Sequence, residues 1–348
     1  MERNKILKLS NTRWLILHKC VERLLKNWQV LQNYFIFAVV EDKLKSAETI
    51  LELLNDKSVK AYLLFLKYAL NYFNKFNALF QSRKILIHKL YENSQRLIYE
   101  IAQNFIKPEF LEAIYNINFD IEEIRQPLEN VYVGLDCESF LKTEPLELRK
   151  EIKIKCLDFY LTAIREMCKR LPYNNNIIKE LIFLQPEIAL YNEGRNKIKD
   201  LNLIATQIGN LSIVKLANEW TILPSIYNEI EKQELINLEI DEMWEKILEF
   251  KNFNGEKMFP QLELLIQAVL SLPHSNAEAE RIFSMVTDIK NKKRNHLSNK
   301  TVSAMCVARS SFQAQGVNCT NFEVDSEHLK LHNSDNIYEK QCNSCDGS

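Results

Sequence analysis

The sequence predicts a mainly α protein: a large all-helical domain, then a C-terminal portion with few or no strands. Three observations predict it. Only six glycines and eight prolines interrupt 348 residues. In the long intervals between them, apolar residues recur at three- and four-residue spacing, the period of one helix face. No half of the chain is rich in strand signals, and no internal repeat is present.

The elements follow in order. From Val59, the positions Tyr62, Leu63, Leu66, Leu70, Phe73, Phe76 and Phe80 form one apolar stripe. Ile87, Leu90, Tyr91, Leu97, Ile98, Ile101 and Phe105 repeat it, so two long paired helices are predicted. Pro108 is expected to end the second, because its ring removes an N–H and pushes the preceding residue out of the α region. A third long helix is predicted from Pro145 in its first turn to Leu171, stopped by Pro172. Between them ENVYVGLDCESF, around Gly134, alternates β-branched and aromatic residues and reads as non-helical. After Pro186 shorter pieces follow, IATQIGNL and VKLANEW among them. DEMWEKILEFKNFNGEKMFPQLELLIQAVLSLP then reads as helix, turn at Asn254-Gly255, helix. Beyond Phe312 the period is lost, and the polar tail 313–348 is expected to be disordered.

Composition bounds the function classes. At ~150 residues per domain the length allows one large domain or two. The 46% hydrophobic content suffices for a core. Lys and Arg number 45 against 46 acidic residues, so total charge points to neither nucleic acid nor membrane. Its distribution is more informative. Residues 1–26 hold seven basic residues against Glu2 and Glu22, and residues 281–300 hold six against Asp288. Residues 229–249 reverse the sign, with eight acids against Lys232 and Lys246. Eight irregularly spaced cysteines suit reduced thiols and an intracellular home. The start, MERNKILKLSNTRW, lacks the apolar region of a signal peptide, and the longest apolar run, YFIFAVV, is too short to span a bilayer. A soluble protein is expected.

The stretch LPHSNAEAERIFSMV, residues 272–286, is the most distinctive. Ser275 is placed as an N-cap, with Glu278 three residues on completing a capping box. Ala279, Ile282, Phe283, Val286 and Ile289 then fall on one face, with Glu280 on its flank. On the residues alone, Glu280 and Arg281 read as a helix start and a solvated face.

The wider stretch FPQLELLIQAVLSLPHSNAEAERIFSMVTDIKNKKRNHLSNKTVSAM resembles the C-terminal block of hAT-superfamily transposases, where a Ser-rich segment runs into Glu-Arg-x-Phe-Ser, then a basic loop and a short helix. The matching residues are Ser275, Glu280, Arg281, Phe283 and Ser284, then Lys290, Lys292, Lys293 and Arg294, then Leu297-Ser298. NTRWLILHKCVERLLKNWQVLQNYF, residues 11–35, resembles the Thr-Arg-Trp segment that precedes the family's large helical insertion. The resemblance covers about residues 8–311. It implies a Thr-Arg-Trp segment and first helix at 1–30, the helical insertion at 31–230, and a partial RNase H-like, dimerising C-terminal region at 231–312.

What the resemblance implies for activity is mostly an absence. The family holds divalent metals with two Asp and one Glu, because two metals clamp the attacking and leaving oxygens of a phosphoryl displacement. Glu280 takes the place of the family's Glu. Both Asp belong upstream of the Thr-Arg-Trp block, and the ten residues before Asn11 contain none. The expectation is therefore a non-enzyme in which Glu280 is a relic and no cofactor is used, Mg2+ or Mn2+ entering only if an upstream part supplies the two Asp. Trp14 matches a tryptophan that stacks on DNA bases, and equally suits a core aromatic anchoring the first helix. Arg13 suits a phosphate contact or a plain surface.

Three readings of function remain. Dimerisation leads, because the resemblance assigns it to the C-terminal block, and because 258–272 and 279–289 are apolar faces expected to lack their sheet partners. Ser275, Phe283, Ser284, Val286 and Leu297 are its candidate residues, with the chain itself or a related hAT-type protein as partner and the nucleus as location. DNA binding through Arg13, Trp14, Arg281, Lys290, Lys292, Lys293 and Arg294 is the alternative, against a solvated loop or a nuclear-import patch at KNKKR. Third, His328 and His332 with Cys342 and Cys345 form a weak zinc set in an order reversed from the common finger. No Gly-rich phosphate loop, Gly-x-Ser-x-Gly or His-Glu-x-x-His supports another enzyme class.

Overall fold

The computed structural model describes residues 14–41, 43, 45–82, 84–195, 201–318 and 320–332, with Trp14, Leu15, Gly194 and Glu278 described by backbone only. Among the described residues no strand forms, and β pairing is confined to the isolated bridges Ile106 to Arg125 and Lys251 to Lys257. The mainly α expectation is met. No described helix is long and apolar enough to cross a membrane. The chain divides after Ser275 into two compact units.

The first unit opens with α1 (Trp14–Lys26) and α2 (Trp28–Val40), parted at Asn27, whose side chain donates to the Arg23 carbonyl at 2.7 Å. α3 (Lys45–Asn55) packs back along α2, and Gln32 donates to the Leu54 carbonyl at 2.9 Å. α4 (Lys57–Phe80) starts at Asp56, which accepts the Ser58 N–H at 2.7 Å. The Ser58 hydroxyl and N–H hold the Asp56 carboxyl below its usual range. Its buried residues are Ala61, Phe65 and Ala69, one residue round from the predicted stripe, and Phe80, which lies on it. Small alanines there admit neighbouring helices closely, which apolarity alone does not reveal.

α5 (Leu90–Ala102) follows a single 3-10 turn at Ile87–Lys89. It ends six residues before Pro108, correcting the proline stop. Asn104 ends it instead, its amide donating to the carbonyls of Glu100 at 2.9 Å and Ile101 at 3.0 Å. These bonds satisfy carbonyls that a continuing helix would use. Phe105 still reaches the core, stacked on Tyr160 at 5.8 Å. ENVYVGLDCESF is non-helical only in part: a 3-10 turn spans Leu128–Asn130, extended residues reach Gly134, and α6 (Leu135–Leu141) follows. Gly134 has φ +89°, and a Cβ there would lie 2.6 Å from Tyr68 side-chain carbons, so conformation and space both demand glycine. α7 (Leu146–Arg170) runs between the predicted prolines and buries Ile152, Cys156, Tyr160 and Ile164.

Shorter helices build a second core: α8 (Asn176–Glu180), α9 (Pro186–Ala189), α10 (Asn192–Arg195), α11 (Asn202–Ile208) and α12 (Ile213–Ile226). α13 (Glu229–Ile236), α14 (Ile240–Leu248) and α15 (Pro260–Leu270) complete it, with the predicted turn at Gly255. Trp220, Trp244 and Phe183 sit at its centre, and Trp244 donates to the Leu184 carbonyl at 3.0 Å. The Arg195 guanidinium lies 3.7 Å from the Trp220 ring centroid, and burial lowers its pKa to about 10. α15 does not leave its apolar face uncovered, contrary to expectation. Leu262, Leu265, Ile266 and Val269 are all buried. The Glu219 carboxylate holds the helix start, accepting the N–H groups of Gln261 at 2.9 Å and Leu262 at 2.8 Å.

The second unit contains α16 (Ala277–Ile289), α17 (Asn299–Ala314) and α18 (Ser326–Leu331). The cap position of α16 is Asn276, one residue after the predicted Ser275, and the Asn276 side chain makes no cap bond. Asn276, at φ −85° and ψ 6°, lacks the extended backbone that aims a capping oxygen at the first turn. Within the stretch expected to be disordered, α17 reaches Ala314 and α18 is capped by Asp325, which accepts the His328 N–H at 2.8 Å. Among the described residues, Cys137, Cys156, Cys168 and Cys306 are reduced thiols.

Candidate association surface

Ala-Glu-Ala-Glu favours a helical first turn in α16, and the helix closes when the Lys290 N–H bonds the Val286 carbonyl at 2.8 Å. Ser298 starts α17 by accepting the Thr301 N–H at 3.1 Å. Between them Asn291 shapes the basic loop, its side chain accepting the Lys293 N–H at 3.0 Å and its carbonyl the Arg294 N–H at 2.9 Å. This turn leaves Lys290, Lys292, Lys293 and Arg294 exposed.

The two helices share a very small core. Met285, Ile289 and Val302 are buried, with Val286, Leu297 and Cys306 packed round them. An exposed pair, Arg309 and Asp288 at 3.7 Å, adds little. The predicted apolar face is thus turned about the helix axis. Ile289 and Val286 pack as expected, Met285 takes a core place, and Phe283 points outward at 69% exposure. Glu280 and Thr287 share that outer side at i−3 and i+4 from Phe283, and Ser284 is exposed beside them. Arg281 is half-buried.

α17 adds a second uncovered face. Lys300, Ser303, Ala304, Val307, Ala308 and Ser311 line a shallow groove on it, and Val307 is 67% exposed. Sequence reasoning missed Val307. Its signal was the recurrence of small and apolar residues at 304, 307, 308 and 311, overlooked because α17 is short of large apolar residues.

The remaining candidates do not converge on this surface. Arg13, Cys342 and Cys345 lie outside the described residues, and of Trp14 only the backbone is described, as the first residue of α1. His328 bonds Asp325 through Nδ1 at 2.6 Å, closing its own helix cap, and His332 is exposed at the end of α18. Among the described residues, no group of three or more His, Cys, Asp and Glu side chains is arranged to hold a metal ion.

Residues 231–312 match the hAT family C-terminal dimerisation region. Over these residues the chain is similar to the hAT family. The match runs from within α13 to within α17, so it includes the α16 motif, the basic loop and the outward Phe283. No curated protein and no solved structure matches the chain. The hAT region carries a capacity for dimerisation, with the chain itself or a hAT relative as partner.

Proposed function

We propose that this chain acts by self-association through its second unit, and that it does not itself transfer DNA strands. The observation that carries the first half is Phe283. A large aromatic in the hAT region stands 69% exposed on a helix whose own core holds three buried side chains. Burying such a ring contributes about 2–3 kcal/mol, and a core this small gains from a partner that covers it. Val307 extends the uncovered surface on the next helix.

The second half rests on where Glu280 stands. Two-metal phosphoryl transfer needs several carboxylates converging on one place, and among the described residues Glu280 belongs to no such group. Its role is that of an exposed residue beside Phe283. Metal-dependent cleavage of a nicked or hairpin-prone DNA by the purified chain, lost in Glu280→Gln, contradicts this reading. Light scattering tests association: a dimer or larger species at micromolar concentration supports it, and a monomer opposes it.

DNA binding is the second reading, favoured by the exposed quartet Lys290, Lys292, Lys293 and Arg294. A nuclear location and an RNase H-like origin of the C-terminal portion accompany the proposal as consequences of family.

A further inference from the structure

The helix α2, WQVLQNYFIFAVV, contains no charged residue and is apolar on two sides. One side is accounted for. Trp28, Leu31, Phe35 and Ala38, at 3-4-3 spacing, pack in the first unit, where Trp28, Leu31 and Phe35 meet Leu54, Val59 and Leu63. The other side is not. Val30, Tyr34 and Phe37 recur at the same kind of spacing and are 66%, 62% and 65% exposed, with Ile36 and Val40 exposed at their flank. A helix with a second apolar side leaves that side for a partner to cover.

The ends of this outer line say what covers it. Lys26, the last residue of α1 before the turn at Asn27, precedes Val30 by four residues, Glu41 at the end of α2 follows Phe37 by four, and both are exposed. The line therefore runs from a base through uncharged residues to an acid. Laid antiparallel on a second copy of itself, it sets Lys26 of each copy against Glu41 of the other, with Tyr34 near the two-fold axis. Antiparallel helix dipoles favour the same arrangement. A parallel pairing sets like charges together at both ends. The five exposed side chains offer roughly 500 Å² per copy, so two copies bury about 1,000 Å², the lower bound for a specific interface.

We propose that α2 is a second self-association surface, through which two copies of the chain pair antiparallel. It lies outside residues 231–312 and does not depend on the hAT surface. A chain with two isologous surfaces builds assemblies larger than a dimer.

The test is light scattering across a dilution series of the full chain and five variants, with circular dichroism as the folding control. Phe37→Lys is expected to weaken one association step at least about tenfold, and Phe283→Asp the other. Lys26→Glu and Glu41→Lys, both at exposed positions, are each expected to weaken the Phe37-dependent step, and the double reversal to restore it. Dissociation by Phe283→Asp with no effect of Phe37→Lys overturns the α2 proposal and leaves the hAT surface standing. Weakening by Phe37→Lys without rescue in the double reversal overturns the antiparallel pairing. A monomeric parent chain overturns both surfaces.

Discussion

His88 is buried to 3% exposure, and its Nδ1 has no hydrogen-bond partner. Desolvation, then the charges of Lys89 and His274, lower its pKa to about 4. In the unfolded chain an imidazole titrates near ~6.5. Above that pH both states are neutral and the group costs nothing. As pH falls from about 6.5 toward 4, the unfolded state takes up a proton that the folded state refuses. Stability falls by about 2 kcal/mol at pH ~5 and no further below the folded pKa. Denaturant midpoints at these two ends of the window check this, and His88→Leu is expected to flatten the dependence. Gly134 is a second single-residue constraint. With φ +89° and Tyr68 carbons 2.6 Å from where a Cβ would lie, Gly134→Ala is expected to cost about 2–4 kcal/mol in a denaturant titration. An unchanged midpoint contradicts the close approach of α6 to α4. Neither residue was legible beforehand, because a histidine on an apolar face and a glycine before a helix each suit many environments.

At the scale of elements, periodicity served well where one helix face meets one core. α7 between Pro145 and Pro172, and the α14–turn–α15 pair around Gly255, lie where apolar spacing and breakers put them. The departures share a cause in tertiary bonds. Asn104 ends α5 before Pro108 acts, and the rotation of α16 exchanges Phe283 for Met285 because the few residues of α17 select the packed edge. α15 shows the same point from the other side. Its predicted free face is covered by partners from α11, α12 and α14, and its start is capped from α12 by Glu219. Burial raises the Glu219 pKa against the pull of the Gln261 and Leu262 amides. Glu219→Ala removes the acceptor for those amides and is expected to cost about 1–2 kcal/mol, read as a lower denaturant midpoint. A change within experimental error contradicts the capping role.

For the whole molecule, family was more legible than activity. The Glu-Arg-x-Phe-Ser motif and its basic loop identified the hAT region, and residues 231–312 match it. The direction in which Phe283 points was not legible, since two faces of α16 are apolar enough to serve as its core. Charge adds a prediction here. The Asn291 turn exposes four basic side chains in five residues, so DNA affinity, where measurable, is expected to fall steeply with salt. Lys292→Glu with Lys293→Glu is expected to reduce that salt slope by roughly two. An unchanged slope assigns the loop to solvent. The central claim, association through the hAT region, is tested most directly by light scattering on the chain and its Phe283→Asp variant at matched micromolar concentration. The account predicts an oligomer for the parent and a loss of mass toward the monomer for a folded variant. A parent that is monomeric, or a variant of undiminished mass, contradicts it.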